Sequence, residues 1–473
     1  MRAEKLFETL NDINDNEIDA AAAYRKKKFS PIRILLPVAC AAAVFAVILC
    51  LPLFKNRGSG STAGVLRVMA ACPDPVAENM SAAEFMMGDE HWDWWSAYRE
   101  GIKDNYELNN SLKTYYSFVM EKLLTSDENT VCSPLNTYLA FSMLAEVSDG
   151  NTRQQFLDML GAADIETLRK NVSDLYMGNY VDTPVLKSLP ANSIWLNSDQ
   201  DYNEDTLNTL AQQYFVSSFR GEPGSEELNE ALREWTDKGT GGLLSEYTKE
   251  MTTSPDLIME LVSTMYYKAM WQEAFQADNT DKAVFHGTNG DTDVDMMHMT
   301  TSMSVFKNAN FTALGLGLSD SGGMFFFLPN ENGNVNDLLS DDSIFDALSY
   351  ENIGDNWTYS IVNLSIPRFS ISCKSDIIDM LKELGVTDAM NATLADFSPL
   401  TDESGIFLNK AEHAAMVEID EEGVTGAAYT DMELCGASLP EDEIDFTADR
   451  PFMFIITGGD GSILFAGTIK NID

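Results

Sequence analysis

The sequence predicts an α+β fold. Helical apolar spacings crowd the stretch from Leu108 to Gly161, and short apolar runs of strand character follow from Ala191 to the C-terminus. Ahead of both, Ile34 to Phe54 reads "ILLPVACAAAVFAVILCLPLF", 21 residues without a charge, enough to cross a bilayer as one helix. A chain of 473 residues can bury a sizeable core. Length alone is a soft prior for two or three domains, although single domains of more than about 300 residues exist.

Residues 1–33 form a tail in which Leu6, Phe7, Leu10, Ile13 and Ile18 fall near helical spacing. A short amphipathic helix is expected, lying on the membrane surface or docking a cytoplasmic partner. Arg25, Lys26, Lys27, Lys28 and Arg33 precede the apolar run, so the positive-inside rule puts the tail in the cytoplasm. A cleaved signal peptide is the competing reading. Against it stand a leader of over thirty residues, an apolar run beyond the usual length, and no small-x-small site close behind. "VILC" is a weak lipobox, with Leu49 where a small residue belongs. An uncleaved signal anchor over 34–54 is expected, with the chain after Lys55 outside the cell. Residues 55–107 read as an extracellular linker. "KNRGSGSTAG" is flexible in composition, and Met69 to Glu107 is expected to be irregular. Its aromatic cluster "HWDWWSAY" is expected to pack on the following domain, with carbohydrate stacking as the alternative.

That domain spans 108–473. "NNSLKTYYSFVMEKLL" places Leu112, Tyr116, Phe118 and Leu123 or Leu124 near one helical face. "SPLNTYLAFSMLAEV" reads as a buried helix with Ser133 as its N-cap and Pro134 in the first helical position. "NTRQQFLDMLG" is a helix that ends at Gly161. "ANSIWLN", "LIMELVSTMYYKAMW", "MFFFLPN", "YSIVNLSIPRFSIS", "AAMVEID", "PFMFIITG" and "SILFAGTIK" read as strands. Several are apolar on both faces and belong inside a covered sheet. "DIIDMLKELG" is a helix between strands.

Charge and residue counts exclude several functions. A formal net charge of −43 argues against neutralising nucleic-acid phosphates and against docking the globular part on anionic lipid. The six cysteines (Cys40, Cys50, Cys72, Cys132, Cys373 and Cys435) have no CxxC spacing, so neither a disulfide framework nor a zinc site is expected. His91, His286, His298 and His413 are too dispersed for a metal cluster. No cofactor and no metal are expected, and a basic heparin-type site does not suit this charge.

From about residue 108 to the C-terminus the motifs resemble one family, the serpins. "SPLNTYLAFSMLAEVSDGNTRQQFLDMLG" looks like the family's early helix pair, and "REWTDKGTGGLLSEY" like its Trp-then-Thr-x-Gly segment. "LVSTMYYKAMWQEAF" resembles the central strand ending in Lys-x-x-Trp. "IPRFSIS", "MLKELGVTDAM", "NKAEHAAMVEIDEEG" and "FTADRPFMFIITGGDGSILFAGTIKN" follow in family order. The resemblance implies a metastable fold of three β-sheets and eight to nine helices, with an exposed reactive loop at one pole. In inhibitory members a serine protease attacks the loop and forms an acyl-enzyme. The cut loop then inserts into the central sheet and drags the protease across, distorting its active site. With the anchor, this implies a monomeric, bacterial, cell-surface inhibitor of a serine protease.

The loop's own residues fit insertion. A strand added inside a sheet turns alternate side chains to the core. Val424, Gly426, Ala428, Thr430, Met432 and Leu434 are uncharged, while Thr425, Ala427, Tyr429, Asp431, Glu433 and Cys435 hold both charges. An ordinary half-buried strand is the bland alternative, weakened by Gly426, by the Glu-Glu-Gly start and by Pro440. No proline lies between Glu421 and Ser438 to interrupt a ladder. By the family's loop length, the hinge runs over Glu421, Glu422, Gly423, Val424, Thr425, Gly426, Ala427, Ala428, Tyr429 and Thr430. Counted along the same loop, the reactive bond is expected at Ala437–Ser438, flanked by Leu434, Cys435, Gly436 and Leu439; a shift of one or two residues would offer Gly436 or Cys435 instead. A small Ala437 suits elastase-like or subtilisin-like enzymes with shallow pockets. Gly426 stands where the family usually has alanine.

Ser133, Asn136, Ser263 and His413 match a polar cluster under the family's central sheet, the shutter. The family usually has Ser at the Asn136 position and Asn at the Ser263 position. If the two face each other, the exchange keeps one amide and one hydroxyl in the site. Trp271 matches the breach, where the loop first enters. Ser133 and His413 do not sit in a nucleophile-elbow sequence, so no catalytic activity is expected. Two alternatives keep the fold: a non-inhibitory surface binder, and a protein that signals cleavage to its cytoplasmic tail.

Overall fold

The last two long strands, Phe452–Thr457 and Ile463–Ile469, are buried along their whole length, as runs apolar on both faces must be. They lie inside one of two sheets in the computed structural model, which describes residues 62–331, 333–348, 354–424 and 442–472. The tail, the 34–54 anchor, the hinge residues from Thr425 to Thr430 and the reactive-bond region Leu434–Leu439 lie outside the described residues. Among the described residues no helix is long and apolar enough to cross a membrane.

The first sheet has eight strands. Its members are β1 (Leu66–Val68), β2 (Leu186–Asn197), β3 (Val216–Gly221), β4 (Met259–Met270), β5 (Phe369–Asp376), β6 (Glu412–Ile419) and β7 (Gly423–Val424), with Val181–Asp182 pairing beside β2. In space the order is β1-β3-β2-β4-β7-β6-β5. Helices pack on both of its faces. Helix α1 (Pro134–Glu146) lies beneath and is buried almost throughout; the Ser133 side chain accepts from the Asn136 amide and Pro134 starts the first turn. Helix α2 (Glu226–Gly239) covers the opposite face, where Leu228, Ala231 and Leu232 form a cluster with Trp195 of β2 and Phe219 of β3.

Several expectations are corrected. The described strands form two hydrogen-bonded sheets, not three. The reason is Gly290–Lys307, an 18-residue strand that pairs first with Thr280–Gly287 and then with Trp357–Pro367, so one ladder joins what two layers would have divided. The described residues contain thirteen α-helices, not eight or nine, and four of them begin before Leu108. The stretch from Met69 to Glu107 is mostly helical, with helices at Ala82–Met87 and Asp89–Ile102. A reciprocal cap starts the first: Glu84 N–H donates to Ser81 Oγ, and Ser81 N–H donates to the Glu84 carboxylate. Trp94 stacks on Tyr98 at 5.2 Å, and both pack on the main core. "YSIVNLSIPRFSIS" is two strands: it breaks at Pro367–Arg368 and passes from the second sheet into β5 of the first.

Candidate functional site

The site is a gap in the first sheet. One edge of β4 is paired with β2 from Met259 to Ala269, and one edge of β6 is paired with β5 from Glu412 to Ile419. Their other edges face one another across β7, which occupies only one end. There Gly423 pairs with Met270, Val424 with Ala269, and Val424 with Ile419. Among the described residues nothing else joins β4 to β6. Below β7 lies a cavity of about 110 Å³, lined by Ser263, Thr264 and Met265 of β4, by Ala414, Ala415 and Met416 of β6, and by Ser133 and Asn136.

Backbone geometry holds the head of the gap. A side chain at Gly423 would place its Cβ 2.2 Å from the Ala269 carbonyl oxygen, and φ is +158°, so glycine is required there. Val424 is buried beside Ala269 and Ile419, on the core face. Trp271 is buried and donates from Nε1 to the Asp420 carbonyl at 2.9 Å; its amide donates to Glu422 at 3.1 Å. Glu421 is nearly buried, ion-paired with Arg368, and accepts from Thr280 Oγ1 at 2.5 Å. Burial pushes its carboxyl up, but the Arg368 and Thr280 hydrogen bonds outweigh this and hold it below the usual glutamate value.

Midway down the gap, a polar chain crosses from helix to sheet. Asn136 Nδ2 donates to Ser263 Oγ at 2.7 Å, and Ser263 Oγ donates to Asn192 Oδ1 at 2.8 Å. Asn192 Nδ2 donates to the Tyr214 carbonyl at 2.8 Å. His413 Nε2 accepts from the Ser133 amide at 2.9 Å. Burial lowers its imidazole to about 4, so it is neutral at pH 7. Since this bond uses the Ser133 amide while the hydroxyl caps α1, the two residues form no nucleophile and base.

The structure therefore brings Ser133, Asn136, Ser263 and His413 into one cluster, and sets Trp271 beside Glu421, Glu422, Gly423 and Val424. Sequence reasoning did not find Asn192, Arg368 or Thr280. Arg368 had a visible signal, a lone base between two apolar strands in "IPRFS". Asn192 had none, because its role depends on β2 lying beside β4.

A protein-family model described as "Serpin (serine protease inhibitor)" matches residues 109–472. Serpin B11 of Mus musculus is 28% identical over 361 residues, covering 72% of this chain and 92% of that protein. Alpha-1-antiproteinase 2 of Equus caballus is 27% identical over 356 residues, covering 72% and 81%. Among solved structures, the thermophilic serpin tengpin in its native state aligns with a TM-score of 0.65 and 21% identity, covering 86% of this chain and all of the other. Human thyroxine-binding globulin, solved with its hormone, aligns with a TM-score of 0.67 and 21% identity, covering 79% and 99%. At such identities the two structures speak for the fold alone.

Proposed function

The chain belongs to the serpin family, and from that premise we propose that it inhibits a serine protease by inserting its cut loop between β4 and β6. The observation that carries this reading is the gap itself: two strand edges that, among the described residues, have a partner only at one end, where Gly423 and Val424 are seated. Strand addition there satisfies backbone groups along both edges. The reactive bond is Ala437–Ser438, and the target has a shallow primary pocket of the elastase or subtilisin type. Cleavage frees the strand, Trp271 marks where it starts inward, and Ser133, Asn136, Ser263 and His413 are the cluster it must pass.

The test is incubation with subtilisin-like and elastase-like proteases, followed by a denaturing gel and mass determination of the released peptide. The expected product is a complex that survives boiling in detergent, with release of Ser438–Asp473. Cleavage followed by free protease refutes inhibition.

The reading extends to a place on a bacterial cell surface; the apolar run Ile34–Phe54 and the basic residues before it support an anchor with the N-terminus inside. Protease treatment of intact cells should remove the domain and leave residues 1–33 protected.

A second reading, a non-inhibitory surface binder, is favoured by Gly426 and Tyr429 in the hinge. It predicts a melting temperature unchanged by loop cleavage.

A further inference from the structure

Two cysteines far apart in sequence meet where the two sheets approach each other. Among the described residues Cys72, Cys132 and Cys373 are free thiols. Cys132 ends the strand Thr130–Cys132, which pairs with Ile463–Ile469 in the second sheet and packs on β5 and β6 of the first. It is fully buried in the main core. Cys373 lies in β5, at the edge of the first sheet, half-buried against the same core.

The polar cluster fixes how the two thiols face. Ser133, the residue after Cys132, donates its amide to His413 Nε2 at 2.9 Å. His413 of β6 pairs with Ser375 of β5, and Ala415 pairs with Cys373. Residues paired directly across a ladder share a face, so Cys373 stands on the core side with the buried Ala415. Its Sγ lies 3.7 Å from Ser375 Oγ. The thiols therefore flank one contact, His413 to Ser133, each coming from a different sheet. Burial pushes the Cys132 thiol far above its usual value and Cys373 pushes it further, an effect that requires the two sulfurs to be near each other in a dry core.

We propose that Cys132 and Cys373 form a reversible disulfide that ties β5 to the second sheet. The oxidant is a small disulfide of the glutathione class. Cys373 meets it first, because it is half-buried on an edge strand that can open locally, whereas Cys132 is sealed in the core. The Cys373 thiolate attacks one sulfur of the oxidant, forms a mixed disulfide and releases one glutathione thiolate. Cys132 then attacks the Cys373 sulfur, and its proton leaves with the second glutathione. Two protein thiols are oxidised to one disulfide, and one glutathione disulfide is reduced to two glutathiones. The link closes a loop of about 240 residues, which restricts the unfolded chain. It also holds β5 and β6, one rim of the gap, on the strand that leads into α1. The other rim, β4, meets α1 through the hydrogen bond from Asn136 to Ser263. Thiol state thus sets the stability of the uncut fold, independently of any protease.

The test incubates the full chain with glutathione disulfide and then with dithiothreitol, beside Cys132→Ala and Cys373→Ser. Two quantities are read at each stage: the peptides released by digestion without reduction, and the melting temperature. Oxidation should yield a linked peptide pair holding Cys132 and Cys373, and a melting temperature higher by roughly 3–5 °C. Dithiothreitol should reverse both. Each variant should give neither the pair nor the rise. Cys373→Ser alters only a half-buried position, so the comparison stands should Cys132→Ala fold poorly. A folded chain in which Cys373 carries glutathione alone overturns the proposal, as does a linked pair that appears only in urea. A link that leaves the melting temperature unchanged also overturns it. Failure here leaves the insertion reading untouched, because no step involves the loop.

Discussion

At the scale of single residues, His413 couples the fold to pH. It is buried, accepts the Ser133 amide, and has its imidazole lowered to about 4 by burial. A histidine of ordinary value near 6.5 takes up its proton on unfolding before the folded form does. The unfolded chain thus binds more protons between those values, and stability falls as pH drops from 6.5 toward 4. The loss amounts to about 3 kcal/mol over that window. His413→Gln keeps an acceptor for the amide but does not titrate. Urea unfolding at pH 7.5, 5.5 and 4.5 should show a steeper decline in wild type than in this variant. Equal slopes would mean that the imidazole is not held neutral by the fold.

At the scale of elements, the helix at Ala82–Met87 shows a signal that was present and unread. "SAAE" from Ser81 to Glu84 is a capping box, but its helix is only six residues long. Surrounding Gly and Pro made loop the easier reading. Packing decides the matter, since Phe85 is buried against Val185 and Met270. Ser81→Ala should cost about 1 kcal/mol of stability. Chemical denaturation of the full chain measures it, and an unchanged midpoint would show that Phe85 holds the helix without its cap. Longer elements were easier to read. Ser133-Pro134 announces α1 and Gly161 closes the next helix, in left-handed conformation at φ +69°. The break at Pro367–Arg368 was not legible, because both halves alternate as strands and only their different partners separate them.

At the scale of the whole molecule, the gap between β4 and β6 makes the loop's alternation meaningful. Val424 occupies its first buried position, 2% exposed between two strands. Val424→Arg would force a charge into that core position. The variant should still be cut by the target protease, but should form no detergent-stable complex and gain no melting temperature on cleavage. Retained trapping would show that the inserted strand does not start from β7.

The sequence by itself determined the serpin family, the buried strands and the period-2 pattern of the loop, because these are written in local order and spacing. It also brought Asn136 and Ser263 under suspicion as an exchanged pair. The tertiary structure decided what those residues meet. The hydrogen bond from Asn136 to Ser263, its relay to Asn192, and the hold of Arg368 on Glu421 join positions 53 to 127 residues apart. Such contacts follow from which strands lie side by side and in what register, and a periodic pattern along one strand carries no record of its neighbour.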